Sequence, residues 1–337
     1  MRIKDIAKLS GVSVASVSRV INGNMHVLPQ TRAKVMKAIS ESGYVPNLTG
    51  RLLRTQRSDK LLILVPNISN AFFSKIIIGM EDAAFELGYE LLVAITNCKA
   101  PIEEKYINML KTRLVDGIIS FLSVLPLETL KHLSENYPIV QCCEPIRELS
   151  TSVVCIANRQ AANEAVTYLI QKGRKRIALL HGHVYRHSEG ERRSGYLDAL
   201  RENRLEADSC LIADCEYTHV DAANHMDRLL ALPPGKRPDA VFCCADIMAV
   251  GVMRSILKHQ LQPGKDIDVI GFDNNAISDI FIPSITTVEQ PRYEIGKTAV
   301  ELLVEKINHP GSISKSITLP HRLIIRDSTG DAMEQET

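Results

Sequence analysis

The sequence predicts an α/β protein: a small all-α head, followed by a larger two-lobed core of two parallel sheets covered by helices. Three observations predict it. Residues 1–58 carry ten Lys and Arg against two acids, Asp5 and Glu41, a net charge of +8. Residues 59–337 carry thirty Lys and Arg against thirty-seven acids, a net charge of −7. From Leu61 onward short apolar runs alternate with amphipathic stretches, twice over. Such alternation is the signature of parallel sheets buried on both faces by helices. A basic head on an acidic body indicates a polyanion-binding module joined to something else.

Composition narrows the class. The chain has 337 residues, two to three domains' worth at about 150 residues each. It is 45% hydrophobic and 23% charged, which excludes a disordered or collagenous chain. No apolar run approaches the roughly 20 residues of a spanning helix. Met1–Asp5 leads straight into an amphipathic pattern without a secretory apolar region, so a cytoplasmic location is expected. Eight cysteines include two adjacent pairs and no Cys-x-x-Cys, a poor disulfide framework and a poor zinc site. In runs such as Val241-Phe242-Cys243-Cys244 they read as buried thiols.

In the head, residues 3–10 read as a helix with Ile3, Ile6, Ala7 and Leu9 on its apolar face. Gly11-Val12 interrupts it, and Ser13 is an N-cap for a second helix over about 14–22. Val17, Val20 and Ile21 give that helix a buried stripe, with Ser16, Ser18 and Arg19 off it. A third helix over about 31–42 carries Val35, Met36, Ala38 and Ile39, is basic through Arg32, Lys34 and Lys37, and closes at Gly43. Two short helices joined by a glycine-containing turn, plus a third, match a helix-turn-helix module whose second helix enters the major groove. Another kind of small basic three-helix bundle fits the same spacing.

In the core, Leu61–Val65 reads as a buried strand. There follow a helix near 70–87, strand 90–96, helix 102–113, strand 116–121, helix 126–135 and strand 138–142. A second series begins near Val153: helix 159–172, strand 176–180, helices 190–203 and 219–231, strand 239–244, helix 246–260 and strand 267–272. Ligands of open α/β sheets bind beyond the carboxyl ends of strands. Asn67, Phe72 and Phe73 stand beyond the first strand, Arg186, Ser188 and Arg192 beyond 176–180, Asp246 beyond Cys244, and Asp273 beyond Phe272. Each alone reads more readily as a cap, a surface charge or a core aromatic than as a ligand residue, and Asp246 equally well as the N-cap of a helix at 247–260.

Enzyme signatures are missing. Gly296-Lys297-Thr298 resembles the end of a P-loop, but Pro291 stands where its first glycine belongs. No Gly-x-Gly-x-x-Gly follows a strand, and neither Gly-x-Ser-x-Gly nor His-Glu-x-x-His occurs. The ten histidines show no metal spacing, and His181 and His183 read as a solvated loop. No cofactor and no metal are called for.

The stretches Ile3-Lys4-Asp5-Ile6-Ala7, Gly11-Val12-Ser13, Val17-Ser18-Arg19-Val20-Ile21-Asn22 and Gly43-Tyr44-Val45-Pro46-Asn47 resemble the headpiece of the LacI/GalR family, and the resemblance continues to about residue 328. It implies a ligand-controlled transcriptional repressor and a periplasmic-binding-protein-like core that the chain crosses near 158, 288 and 320. It divides the chain into a headpiece at 1–46, a hinge helix or linker at 47–58 and a ligand-binding core at 59–337. The N-lobe would take about 59–157 and 289–319, the C-lobe about 158–288 and 320–337.

By the same resemblance, Val14, Ala15 and Arg19 read base edges. Arginine can grip guanine bidentately, whereas valine and alanine offer apolar contact, for instance to a thymine methyl. Ser13, Ser18, Asn22, His26, Thr31, Tyr44 and Asn47 would contact the DNA backbone or support the headpiece. Leu53 would wedge a central base step in the minor groove, with Arg51, Arg54 and Arg57 against phosphates. Gly50 stands where alanine is frequent and weakens that helix by roughly 1 kcal/mol.

In the cleft, Arg192 and Asp273 match a clamp for a polyhydroxylated ligand. Phe72, Phe73 and Phe242 match stacking faces, Arg186 and Ser188 match base contacts, and Asp246 matches a family acid. Ala157 and Ala245 replace polar residues and predict a less polar cleft. Ala240–Cys243, Ile270–Asn274 and Gln290–Gly296 look most like the cytidine-repressor branch, which favours a nucleoside effector, acting as inducer, over a sugar. The polar stretch 330–337 carries no leucine heptad, so a homodimer on a double-stranded, pseudo-palindromic operator is expected. The alternative is an α/β ligand-binding or nucleoside- or sugar-processing protein whose head binds polyanions nonspecifically.

Overall fold

The computed structural model describes residues 1–21, 26–44, 57–182 and 186–330. The expectations for Asn22, Asn47, Gly50, Arg51, Leu53, Arg54 and His183 lie outside them. The chain divides into two compact units, residues 1–58 and 59–337.

In the first unit the described residues form α1 (Ile3–Ser10), α2 (Val14–Ile21) and α3 (Pro29–Ser42). The Asp5 carboxylate accepts from the Arg2 N–H at 2.7 Å, closing the open amine end of α1. Gly11 ends that helix at φ 66°, a left-handed conformation that costs glycine little. Ser13 Oγ accepts from the Ser16 N–H at 3.1 Å and caps α2 as its sequence position predicts. Ile6, Ala7, Val17, Val20, Val35 and Ala38 make the small core. Leu9 and Met36 are corrected: they are 60% and 53% exposed. The inward stripe of α1 continues instead through Ser10, whose hydroxyl donates to the Ile6 carbonyl at 2.6 Å. α3 begins at Pro29, ahead of the predicted start, because proline suits a first helical turn.

The second unit holds two six-stranded sheets. In chain order its strands are β1 (Lys60–Val65), β2 (Glu90–Ile95), β3 (Gly117–Ser120), β4 (Ile139–Cys142), β5 (Ser152–Ile156) and β6 (Ile177–His181). They continue as β7 (Ile212–Asp214), β8 (Ala240–Cys243), β9 (Asp268–Asp273), β10 (Thr286–Glu289), β11 (Ser316–Leu319) and β12 (Arg322–Ile324). The helices are α4 (Ala71–Glu86), α5 (Ala100–Lys111), α6 (Leu127–Asn136), α7 (Asn158–Gln171) and α8 (His187–Glu202). After them come α9 (His219–Leu230), α10 (Asp246–Lys258), α11 (Ala276–Ile280) and α12 (Arg292–Asn308). None of the described helices is long and apolar enough to cross a membrane.

The first sheet runs β11-β5-β4-β3-β1-β2, all parallel, and the second runs β12-β10-β9-β8-β6-β7 with β12 antiparallel to β10. The unbroken apolar run of β1 follows from two covered faces. Leu61, Ile63 and Val65 pack with Phe72, Ile76 and Ile295 of α4 and α12. Leu62 and Leu64 pack with Ile107, Leu110 and Leu130 of α5 and α6. The chain passes between sheets after β5, after β10 and between β11 and β12.

Several strands depart from the pattern reading. β5, grouped with the second series, pairs with β4 and β11 in the first sheet. β7 has three residues, β11 is a half-exposed edge, and β10 is polar, so hydropathy marks none of them. The threonines of β10 are buried because each finds a partner. Thr286 Oγ1 lies 2.8 Å from Thr329 Oγ1, and Thr287 donates to Asp246 at 2.6 Å. His181, expected in a solvated loop, ends β6 and is buried.

Asp246 is likewise corrected as a helix cap. It opens α10 with Ala245 as the capping residue, and its carboxylate turns inward. That carboxylate is fully buried and accepts from the Asn275 N–H and the Thr287 hydroxyl, both at 2.6 Å. Burial, reinforced by the nearby Asp273 carboxylate, pushes its pKa up to about 8.

α7 and α8 approach closely at Gly195, where an added Cβ would stand 2.1 Å from the Arg159 carbonyl oxygen. Gly195→Ala is expected to cost roughly 1–3 kcal/mol of unfolding free energy by overpacking, read by urea denaturation. Asp246 supplies a test in pH. An unfolded aspartate ionises near pH 4, whereas the folded group keeps its proton to about pH 8. Between those values the unfolded chain binds fewer protons, so this group's stabilising contribution falls as pH rises. Asp246→Asn should therefore gain stability relative to the parent steadily from pH 4 to 8. A difference that stays flat across that range contradicts the assignment.

Candidate functional site

Two surfaces concentrate the predicted residues. On the head, burial of Val17 and Val20 turns Val14, Ala15 and Arg19 of α2 outward, all exposed. Ser13, also exposed, spends its hydroxyl oxygen on the Ser16 amide. Ser18 and Thr31 are half-buried, and His26 is exposed. Tyr44 packs against the head core, a supporting rather than an outlying position. The exposed face thus offers one guanidinium and two small apolar groups within six residues.

The second surface is the cleft between the two sheets' lobes, a cavity of about 710 Å³. The first lobe contributes Phe72 and Phe73 from the first turn of α4. Asn70 sets that turn by accepting from the Phe72 N–H at 2.9 Å. Phe73 meets Phe121 edge-on at 4.9 Å, which fixes its ring. The second lobe contributes Arg192 from α8, which is buried. Its Nε donates to Asn158 Oδ1 at 2.9 Å, and Nη1 donates to the Cys244 carbonyl at 2.6 Å. The guanidinium lies 3.7 Å from the centroid of the Phe272 ring. Burial opposes this charge, but the carboxylates of Asp273 and Glu189 more than offset it, and its pKa rises. Nη2 has no partner among the described residues, so its N–H groups remain for a ligand.

Asp273 ends β9 at φ 105°, a conformation costly for a side-chain-bearing residue. Surrounding bonds hold it there. Gln290 Nε2 donates to its Oδ1 at 2.8 Å, while Arg292 donates to the Asn274 carbonyl at 2.6 Å and to Asn275 Oδ1 at 2.5 Å. Burial pushes the Asp273 pKa up to about 6, against the pull of Arg192 and Gln290. Near neutrality it is therefore a poised acceptor beside a permanent donor.

The cleft brings together Asn67, Phe72, Phe73, Arg186, Ser188, Arg192 and Asp273 of the predicted set. It does not include Phe242 or Asp246. Phe242 is wholly buried and supports Phe272 edge-on at 6.3 Å, so it presents no stacking face. Asp246 lies beneath the floor in the network described above. Ala157 and Ala245 also lie outside the lining, so their side chains do not set its polarity. Arg186 stands 5.5 Å from the Tyr217 ring centroid.

Sequence reasoning missed Glu144, Asn158, Tyr217 and Gln290, all in the lining. Glu144 follows β4 and could have been found by the strand-end rule. Asn158 and Gln290 stand at lobe crossings, which no periodicity marks. Glu144 is the most consequential. Its carboxylate accepts from the Ser188 N–H at 3.1 Å and from the Ser188 hydroxyl, so it binds the start of α8 from the opposite lobe. The same loop sends Arg147 to Glu191 at 3.5 Å. Burial raises the Glu144 pKa while its bonds to Ser188 lower it, leaving a net rise.

Comparison with known proteins identifies the family. Residues 2–47 match the model of bacterial regulatory proteins of the lacI family, and residues 166–329 match a periplasmic binding protein-like domain. The chain is 36% identical over 330 residues to the HTH-type transcriptional repressor CytR of Escherichia coli (strain K12), covering 97% of this chain and 96% of that protein. It is 35% identical over 329 residues to the HTH-type transcriptional repressor PurR of Vibrio atlanticus (strain LGP32), covering 97% and 98%. Among solved structures, a lac repressor dimer bound to operator and the anti-inducer ONPF superposes with a TM-score of 0.87 at 25% identity, covering 98% and 99%. With a helix-turn-helix head, a two-lobed core and this similarity over nearly its whole length, the chain belongs to the LacI family of bacterial regulatory proteins, DNA-binding transcriptional repressors rather than enzymes.

Proposed function

We propose that the protein acts as a homodimer on a pseudo-palindromic operator and takes a nucleoside between its lobes, which releases it from DNA. The observation that carries the ligand reading is the pairing of two unlike recognition elements in one cleft. Arg192, Asn158, Asp273 and Gln290 supply a fixed donor and acceptor set for sugar hydroxyls. Phe72, Phe73 and Tyr217 supply aromatic surface for a base. Glu144 adds an acceptor suited to an exocyclic amine, the partner a carboxylate finds on cytosine. The cavity volume falls within the usual range for small-molecule sites.

The head reading rests on the outward face of α2. Arg19 would grip guanine while Val14 and Ala15 touch apolar base edges, with Ser13, Ser18, Asn22, His26, Thr31, Tyr44 and Asn47 positioning the module and Leu53 at the operator centre. Dimerisation is supported by large exposed apolar residues on the first lobe. Ile78 and Phe85 of α4 are 56% and 81% exposed, with Leu87 and Val93 beside them in sequence. Coupling is supported by the Glu144–Ser188 and Arg147–Glu191 links, which tie one lobe to the other at the cleft. A ligand that binds one lobe arrangement better than the other shifts the balance by that difference alone.

The full-length protein, screened by thermal shift and operator binding against nucleosides, purine bases, pentoses and hexoses, tests the effector. A cytidine-type nucleoside should raise the melting temperature and weaken operator binding, and Arg192→Ala should abolish both effects. A shift with a hexose alone would replace the nucleoside by a sugar. Nucleoside affinity should be level above about pH 6 and fall below it, as Asp273 gains a proton and loses an acceptor site. On the head, Arg19→Ala should lose about 1–3 kcal/mol of discrimination at one base pair per half-site, measured by binding to single-substituted operators. Uniform weakening on all sequences would make Arg19 a phosphate contact instead.

A further inference from the structure

Away from the ligand-clamping residues, the turn from β7 into α9 gathers three different metal-ligating groups. Cys215 Sγ, a carboxylate oxygen of Asp221 and a ring nitrogen of His225 all lie within 4.8 Å of one another. Asp221 Oδ2 and His225 Nε2 are 3.7 Å apart. Asp221 and His225 are four residues apart on α9 and so share one face. Cys215 is brought to that face by a turn that the Glu216 N–H closes on Asp221 Oδ2 at 2.9 Å. Thr218 Oγ1 accepts from the Asp221 N–H at 3.2 Å and fixes where the helix starts. The thiol is buried, whereas the Asp221 and His225 side chains are 34% and 20% exposed, which leaves a path from solvent. Asp214 and Glu216 flank Cys215 in the chain, so carboxylates stand on either side of the thiol.

We propose that Cys215, Asp221 and His225 bind one divalent transition-metal ion of the zinc class, with water in a fourth position. One thiolate, one imidazole and one carboxylate suit such an ion and disfavour magnesium or calcium, which prefer all-oxygen shells. A structural role as a loop-closing acid accounts for Asp221 but not for the thiol and imidazole converging on it. The Cys215 thiol, which now donates to the Glu216 carbonyl at 3.2 Å, gives its proton to solvent as the sulfur–metal bond forms. The consequence reaches the cleft. Glu216, Tyr217 and Thr218, between the ligands, line it, and the Tyr217 hydroxyl donates to Glu189, 3.8 Å from Arg192. A bound ion pins this wall, and by linkage any ligand of the cleft alters metal affinity by the same factor that the metal alters its own.

The test is titration of the full-length reduced protein with Co2+, a coloured zinc substitute. One equivalent should produce a sulfur-to-cobalt charge-transfer absorption with intense tetrahedral d–d bands, both displaced by Zn2+. Cys215→Ser should remove the charge-transfer band. His225→Gln, at a partly exposed position, should weaken binding at least tenfold while its circular dichroism and melting curve stay close to the parent's. Cys210→Ser, which alters an exposed thiol nearby in sequence, should leave the titration unchanged. Absence of a thiolate–cobalt band in the parent overturns the proposal. So does a band that persists in Cys215→Ser, or an affinity unchanged in the folded His225→Gln.

Discussion

The core is organised around one buried cation. Arg192 lies on the Phe272 ring, hydrogen-bonded to Asn158 and the Cys244 carbonyl, with Glu189 and Asp273 as its counter-charges. Burying a guanidinium without partners is prohibitively costly. The segments that supply partners are therefore held in place by this requirement: the starts of α7 and α10, and the strained end of β9. Each partner is fixed in turn by something deeper. Phe242 supports Phe272, Gln290 and Arg292 secure the 273–275 turn, and Asp246 holds the Asn275 amide. Residues that seem to belong to the cleft by their place in the sequence thus divide into those that face it and those that hold the facing ones.

That division marks how far sequence reading carries. The fold class was legible because burial on both faces of β1 leaves Leu61–Val65 uniformly apolar, and because α2 shows a stripe at Val17 and Val20. The Arg192–Asp273 pair was legible from strand-end position together with family motifs. Asp246 follows a strand and Phe242 lies near the carboxyl end of one, the region where ligand residues stand, and only packing distinguishes floor from wall. Leu9 and Met36 were misjudged because a three-helix head has too little volume to bury every apolar residue near its stripes.

Residues that join separate segments were the least visible. Asn158 and Gln290 sit where the chain changes lobes, and Glu144 reaches α8 across the cleft. Cys215, Asp221 and His225 match no familiar ligand spacing, and a turn closed by the Glu216 amide brings the thiol onto the helix face. β10 reads as a loop by hydropathy, yet it lies inside the second sheet between β9 and β12, with its threonines satisfied by Asp246, Thr329 and Arg326.

The three crossings between lobes carry a further consequence, for the order in which the molecule is made. The first sheet awaits β11 at its edge and the second awaits β12, so the first lobe is incomplete until residue 319 and the second until residue 324 has been synthesised. The head needs only its own first 58 residues. At about 5–20 residues per second, a finished DNA-binding unit precedes its regulatory body on the ribosome by on the order of tens of seconds. During that interval β5 and β10, the strands that later receive β11 and β12, each keep an unpaired backbone edge, a template for pairing with another chain.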